Sequence, residues 1–377
     1  MKLPKLGEGY FGLSVISLGN IISNAIGGIL WLLFASFMQV DSYGEISFYI
    51  ALATVVGSAV PLGTETVLMT YLPKEKNQRL VHQAASLTLL VSSAAAASLA
   101  LVNWQTSLLV LGVAYFAVNT SQILGSFRYK EYAMIIILER ISRLGLSLLF
   151  FFLIGPFGIL VGFTVSHIVL SLRFFNALKK LSLSFDALRP KFSFSMYSLG
   201  WTMMQLVPTL LDKAIIALFF SFTSVGFYQI GMQFVSLAGI IPTSIYQYML
   251  PKRSEGKLPK SIITYGIGIS IIIAALFVFV SPIVITTFFS HFSDAKLLVQ
   301  IVGIAIIPIT ITAMMNSIMQ ADGRAKRVFV GGIMYVALLV SGLILLGMLF
   351  DIIGLGLAFV IANAAQTAFT VVSVKSH

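Results

Sequence analysis

The segment LFASFMQVDSYGEISFYIAL, Leu33 to Leu52, returns in the second half of the chain as LFFSFTSVGFYQIGMQF, Leu218 to Phe234. In each copy an apolar stretch ends in Ser and Phe, at Ser36 and Phe37 or Ser221 and Phe222, and a short uncharged or acidic loop delivers Gly44 or Gly226. An aromatic-rich stretch then runs on to Pro61 or Pro242 and leaves through Leu-Pro-Lys into basic sequence at Lys74 or Lys252. The copies start about 180 residues apart, a spacing that marks an internal duplication. Loop, helix and basic exit follow in the same order, so the two halves run in the same sense across whatever they cross.

What they cross is set by composition. Of 377 residues 58% are hydrophobic and only 10% are charged, against about 25% charged in soluble domains. Runs long enough for a helix to cross ~30 Å of hydrocarbon recur along the whole chain, about twelve in all. The first six are Phe11 to Met38, Tyr43 to Leu72, Val81 to Val102, Gln105 to Phe127, Glu131 to Ile154 and Phe157 to Ala177. The second six are Ser195 to Ser221, Ser224 to Leu250, Ser261 to Phe289, Asp294 to Gln320, Val328 to Phe350 and Ile352 to Val374. The expected fold is therefore an all-α polytopic membrane protein, two six-helix bundles over residues 1–185 and 186–377 in a V with a central cleft. The basic loop Lys179 to Lys191 joins them.

The net charge of +11 does not point to nucleic acid, because the basic residues alternate from one polar break to the next. One set of breaks holds Lys2 and Lys5, then Lys74, Lys76 and Arg79, then Arg128 and Lys130, then Arg173 to Lys191, then Lys252 to Lys260, then Arg324 to Arg327, and finally Lys375. The other set, around Asp41, Trp104, Pro156, Phe222, Asp294 and Asp351, holds Lys296 alone. The positive-inside rule then puts both termini in the cytoplasm and makes the span count even, with anionic inner-leaflet lipid facing the basic loops. With no cysteine, disulfides and thiolate chemistry are excluded.

Few ionisable residues lie inside the spans, and each costs about 2.5 to 3.5 kcal/mol at mid-bilayer, so they should face protein or water. They are Glu65, Glu139, Arg140, Arg143, Asp212 and Lys213, with His167 as a neutral possibility. Arg140 and Arg143, three apart, share a helix face, and two readings stand. Together they present two planar forks to one phosphate or pyrophosphate, or one of them pairs with Glu65 or Glu139 while the other lines a wet cavity. Asp212 and Lys213 are adjacent, about 100° apart around a helix, so they are not expected to face one another. Lys213 reads either as an anion contact or as a snorkelling residue, and Asp212 as a coupling group or a hydrogen-bonded helix lock. The equivalent place in the first half is Gly27-Gly28, so the charge is an asymmetric addition to a symmetric frame. Asn24, Gln205, Gln229 and Gln233 are uncharged candidates for a polar lining, or for bonds between helices. Pro61, Pro208, Pro242, Pro282 and Pro308 lie within spans, where each is expected to permit a kink. There is no GxxxxGK[ST], no HExxH and no large extramembrane loop, so neither catalytic residues, a metal nor a cofactor is expected.

At Asp212 to Ile230, DKAIIALFFSFTSVGFYQI resembles the seventh-to-eighth helix signature of the polysaccharide flippases, the Wzx-type members of the MATE/MurJ-like superfamily. The matching residues are Asp212, Lys213, Ile216, Phe219, Val225, Gly226 and Tyr228. IPTSIYQYMLPKRS looks like the family's proline-containing eighth helix, and PLGTETVLMTYLPKEK like the corresponding second helix. The two further helices of the lipid II flippase branch are lacking. The resemblance implies a non-enzymatic flippase in the cytoplasmic membrane that carries a polyprenyl-pyrophosphate-linked oligosaccharide to the outer leaflet, exchanging it for H+ or Na+. Arg140, Arg143 and Lys213 would then contact the anion, and Asp212, Glu65 or Glu139 would couple the ion or pair helices. A MATE-like exporter of cationic drugs shares the fold but needs an acidic cavity. A membrane enzyme on lipid-linked sugars would need a larger outer loop.

Overall fold

A computed structural model of the protein describes residues 6–254 and 261–375, with side chains from residue 15 onward except at 201, 205, 207, 209, 240, 247, 248, 250–252, 254 and 325. The described residues are helical almost throughout. In chain order the helices are α1 (Leu6–Phe37), α2 (Val40–Ala59), α3 (Thr64–Glu75), α4 (Gln78–Ala100), α5 (Trp104–Gly125), α6 (Tyr129–Ile154), α7 (Gly158–Val169), α8 (Leu172–Leu178) and α9 (Phe192–Phe219). They continue as α10 (Phe222–Ala238), α11 (Ile240–Ser254), α12 (Ser261–Phe288), α13 (Lys296–Ile304), α14 (Ile306–Ala321) and α15 (Ala325–Lys375). Seven stretches are long and apolar enough to cross a membrane, nine if the bent pairs α2–α3 and α7–α8 count as one each. In α6 the run is interrupted by Glu139, Arg140 and Arg143. The stretches in α12 and α15 are among the most apolar yet only 17% buried, the reverse of a soluble core and what lipid as solvent requires.

Proximity divides the chain into two compact units, one of Met1–Leu30 with Phe48–Leu210 and the other of Trp31–Ser47 with Leu211–His377. The borders run through α1, α2 and α9. In unit 1 the expected second and sixth spans are each a broken helix, bent by 43° and 62°. At the first break Leu62 and Gly63 take left-handed backbone (φ 54 and 75), which glycine tolerates and leucine does so only under constraint. The Pro61 carbonyl accepts from the Thr64 hydroxyl at 2.7 Å and the Leu62 carbonyl from the Ser195 hydroxyl at 2.6 Å. At the second break Asn119, buried in α5, donates to the Leu170 carbonyl (3.2 Å) and accepts from the amides of Arg173 (3.0 Å) and Phe174 (3.4 Å). The asparagine thus supplies both kinds of partner that the bend removes.

In unit 2 the two repeat glycines meet. A methyl group on Gly44 would lie on the Phe222 carbonyl oxygen and 2.6 Å from the Gly226 amide nitrogen, and one on Gly226 would lie on the Val40 carbonyl oxygen. The starts of α2 and α10 therefore cross backbone to backbone. A buried tyrosine flanks each glycine at a different place in the two copies, Tyr43 one residue before Gly44 and Tyr228 two after Gly226. Tyr43 packs edge-on to Phe292 at 5.2 Å. Of the five prolines, Pro208 and Pro282 lie inside helices, whereas Pro61 sits at a break and Pro242 and Pro308 are third residues of α11 and α14, where a missing N–H costs little. Pro282 leaves the Val278 carbonyl without its usual helical donor, and the Gln300 side chain of α13 donates to it at 2.6 Å. The expected eleventh and twelfth spans form α15, turned at Asp351 (φ 51, ψ −135).

The linker after α8 is moored to α4 within unit 1. Gln83, 1% exposed, accepts from the amides of Ala187 (3.0 Å) and Leu188 (3.1 Å) and donates to the Asp186 carboxylate. One turn on, Ser86 accepts from the Ser182 amide at 3.0 Å. The bond from Gln83 holds the Asp186 carboxyl below the usual aspartate range. A depressed acid contributes stability above its unfolded pKa and loses it as pH falls through the folded one. The protection factors of the Ala187 and Leu188 amides against hydrogen exchange should therefore be high and constant through neutral pH and fall only below the ordinary aspartate range. In the Gln83→Leu variant they should be low at every pH.

Gly44→Val places a branched side chain against backbone that has nowhere to move, so it should lower stability by ~3 kcal/mol or more, read as loss of the folded, monodisperse species in detergent. Gly332→Ala, with open space around it, should leave the melting temperature unchanged.

Candidate functional site

The charged site of unit 1 follows from how α6 and α7 meet. Glycines on α7 set the register: Gly158 lies against the backbone of Phe150, and Gly162 has Ser147 Cα 2.5 Å from where its Cβ would be. One turn further on, the antiparallel pairing brings Ser166 and His167 level with Glu139 and Arg143. Gly112 on α5 gives His167 room, with only 3.2 Å between its would-be Cβ and that of the histidine.

Glu139, 2% exposed, is the hub. Its Oε1 accepts from Arg143 Nε at 2.7 Å, pairs with Arg143 Nη2 and accepts from the Ser166 hydroxyl at 3.3 Å. Arg143 Nη2 also donates to His167 Nε2 at 3.0 Å, while His167 Nδ1 donates to the Phe163 carbonyl at 2.8 Å. A guanidinium donates only, so His167 Nε2 must offer its lone pair. The Phe163 ring lies 4.5 Å from Arg143 Cζ and closes the last side. Arg143 is thus spent on a buried acid, an imidazole and an aromatic face.

Arg140 is placed differently. Its side chain is 31% exposed, its Nε is 3.7 Å from Glu139 Oε2, and its guanidinium lies beside Gly27 of α1, about 4 Å from where a Cβ would stand. Of the two readings open for the arginines, the geometry pairs Arg143 with Glu139 rather than Glu65, and leaves the fork of Arg140 the more accessible. Asn24, exposed one turn before Gly27, and Asn20, which accepts from the Tyr132 hydroxyl at 3.4 Å, put polar groups on the same stretch of α1. An exposed amide inside a span is tolerable only where it meets water or a polar ligand. Glu65 stands in the first turn of α3, where the positive end of the helix favours an acid, and its Oε2 is buried without a hydrogen-bond partner.

In unit 2, Asp212 and Lys213 of α9 are 7% and 9% exposed. The expectation that they would not face one another needs correcting. Asp212 Oδ1 accepts from the Lys213 amide at 2.7 Å, and Lys213 Nζ returns to within 3.5 Å of the same oxygen. The four-carbon stem folds back across the 100° that separates the two positions, because a desolvated ammonium has more to gain from the neighbouring carboxylate than from its free rotamers. Tyr228 of α10 and Tyr335 of α15 lie within electrostatic reach of Asp212, and the Tyr335 hydroxyl bonds Asn363. The Tyr228 hydroxyl and Gln229 Oε1 are buried without a partner, and Gln233, one turn beyond Gln229, is buried too. The side chain of Gln205 lies outside the described residues.

Tyr132, Phe163, Ser166, Tyr335 and Asn363 were not singled out as site residues from sequence. Each is a common residue marked only by the group it meets in the fold, Asn20 for Tyr132, Arg143 for Phe163, Glu139 for Ser166, Asp212 for Tyr335 and the Phe359 carbonyl for Asn363. Tyr335 and Asn363 do carry a weak sign, as isolated polar groups in the most apolar part of the chain.

The family model for polysaccharide biosynthesis proteins matches residues 33–257. No curated protein matches the chain. Among solved structures, the lipid II flippase MurJ in an inward closed conformation is 15% identical with a TM-score of 0.75, over 96% of this chain and 87% of that one. An inward-facing multidrug resistance MATE family transporter of the MOP superfamily is 12% identical, TM-score 0.67, over 96% and 94%. A variant of the Vibrio cholerae MATE transporter VcmN is 15% identical, TM-score 0.54, over 98% of both chains. At such identities the likeness is one of fold alone, a polytopic all-α fold shared with those transporters.

Removing Glu139 tests the hub. Glu139→Gln strands the buried Arg143 guanidinium and should cost ~3 to 5 kcal/mol. The double variant Glu139→Gln/Arg143→Gln should recover much of that loss in a thermal-stability cycle, and additive losses would contradict the pairing.

Proposed function

We propose that this chain, which belongs to the polysaccharide biosynthesis protein family, is a flippase that moves a polyprenyl-(pyro)phosphate-linked oligosaccharide across the cytoplasmic membrane by alternating access. The two repeats, residues 1–185 and 186–377, are its moving halves. Both termini are cytoplasmic, on the side where the basic loops lie. The observation that carries this reading is the state of the interior charges. Glu139 is compensated by Arg143, and Asp212 by Lys213, while Arg140 keeps a partly exposed fork beside the amide-bearing face of α1.

That balance suits an anionic head group. Arg140 takes one phosphate edge through paired N–H bonds, Asn24 receives hydroxyls, and the lipid tail stays in the bilayer. Arg143 acts as a positioning residue, holding α6 and α7 in the register that aims Arg140. Lys213 is a second anion contact, exchanging Asp212 for phosphate when the head group arrives, and Gln205, Gln229 and Gln233 contribute polar lining. Asp212 or Glu65 is the coupling group, taking H+ or Na+ when its partner is withdrawn. No bond in the substrate is made or broken. The MATE-like alternative, export of a cationic drug, needs an interior acid free to receive a cation, and the two buried acids among the described residues, Glu139 and Asp212, are already paired with cations.

Arg140→Gln, at wild-type expression and with an unchanged melting temperature, should lower surface polysaccharide export about tenfold, the equivalent of one lost charge-assisted contact of ~1.4 kcal/mol. Arg140→Lys should restore part of it. Undiminished export by Arg140→Gln would remove the anion role, and resistance to cationic dyes that depends on the chain would favour drug export.

A further inference from the structure

Away from the interior charges, unit 1 carries a polar cavity of about 490 Å³ at its basic end, among the ends of α4, α5, α6 and α8. Gln78 and His82 of α4, Gln122 of α5, Glu131 of α6, and Arg173 and Asn176 of α8 line it. A smaller cavity of about 140 Å³ shares His82 as a wall and adds Arg79, Lys180, Ser182 and Ser184, together with Asp186. Neither takes part in the reading of the transport site.

The larger cavity is lined mainly by uncharged polar side chains, and two of its acceptors lack a donor. Gln122 Oε1 is buried and has no hydrogen-bond partner. His82 Nδ1 lies 2.9 Å from the Ala177 carbonyl, to which it can only donate, so Nε2 presents a lone pair. The two charged groups of the lining, Arg173 and Glu131, pair with each other. Arg173 forks onto both oxygens of Glu131 at 2.6 and 2.9 Å, and Arg128 adds a bond to Oε2 at 2.8 Å. The smaller cavity is cationic instead. Arg79 and Lys180 face one carboxylate, Asp186, which is 4.0 Å from Arg79 and already engaged by Gln83.

We propose that the joined cavities are a binding site for an anionic phospholipid whose head group carries hydroxyls, of the phosphatidylglycerol kind. The phosphate sits between Arg79 and Lys180, and the glycerol hydroxyls donate to Gln122 Oε1 and His82 Nε2. The site lies where basic loops meet the leaflet that the positive-inside rule assigns to them, and basic pockets between helices at that level are where lipid head groups are held. A choline head has no donor for the two acceptors, and phosphatidic acid has nothing to place in the larger cavity. The inference rests on the orientation of the basic loops and is independent of what is transported.

The test uses the full chain, purified and delipidated in detergent, and titrated by native mass spectrometry with phosphatidylglycerol, phosphatidylcholine and phosphatidic acid of one acyl composition. Phosphatidylglycerol should bind about fivefold or more tighter than either. Arg79→Gln/Lys180→Gln should weaken both anionic lipids by at least that factor. Gln122→Leu should abolish the preference for phosphatidylglycerol over phosphatidic acid while leaving phosphatidic acid binding unchanged. Should Gln122→Leu fail to fold, judged by its lipid-free melting temperature, His82→Phe, which removes the other acceptor, takes its place with the same expectation. Equal binding of phosphatidylglycerol and phosphatidylcholine, or double-variant affinities equal to wild type, overturns the site. Glycerophosphoglycerol without acyl chains, binding as tightly as the lipid, would make it a site for a soluble phosphodiester instead, and tighter binding of a polyprenyl phosphate would make it part of the substrate path. Export activity is not read, so a failed transport reading leaves this result intact.

Discussion

In hydrocarbon an unpaired backbone carbonyl has no water to turn to, and this constraint governs where the helices of this protein break. Each described break in unit 1 has a side chain from another helix waiting for it. The Ser195 hydroxyl reaches the Leu62 carbonyl, and Asn119 serves one carbonyl and two amides where α7 gives way to α8. In unit 2 Gln300 caps the Val278 carbonyl that Pro282 leaves open. These polar residues are buried inside an apolar chain, and their role is to let spans bend without exposing main chain to lipid.

The same economy explains the glycines. In water, apolar side chains drive helices together. Between helices in lipid that drive is weak, and close approach of backbones takes its place. Gly44 and Gly226 are the clearest case, because each repeat copy contributes one and the two lie against each other's helix starts. The motif that discloses the duplication is therefore also a packing contact between its products. Gly158 and Gly162 do the same for α6 and α7, with the added effect of fixing which residues of α7 face Glu139.

Much of this was legible in the sequence and some was not. Hydropathy and the repeat place the helices, because span length and loop charge are properties of consecutive residues. The bend of the second span was signalled by Pro61, whereas that of the sixth was not visible, since Leu170-Ser171 lies inside an apolar run that reads as continuous. Which charge would pair with which was also beyond reach. Glu139 and Arg143 are four apart on one helix and so predictable as partners, but His167, Ser166 and Phe163 enter through a helix register set by small residues. The pairing of Asp212 with Lys213 was misjudged because helical wheel angles describe where side chains leave the backbone, not where a long flexible one ends. Burial decided the outcome there.

The asymmetry between the repeats sharpens the division of labour among the charges. Where the second repeat carries Asp212-Lys213, the first has Gly27-Gly28, and Gly27 stands beside the guanidinium of Arg140. One repeat thus bears its charge on its own first helix, and the other clears that position so that a charge from α6 can occupy the space. A methyl group at position 27 would rest in ordinary contact with the Arg140 guanidinium, at 3.9 to 4.0 Å, so a longer side chain there would compete for the same space. The two arginines are unequal, Arg143 committed to the acid and Arg140 held outside it. A pair of equivalent arginines would share one carboxylate and leave neither with its full complement of acceptors. The unequal pair leaves one fork with hydrogen-bonding capacity to spare, which is the property that an anion contact in a polar cavity requires.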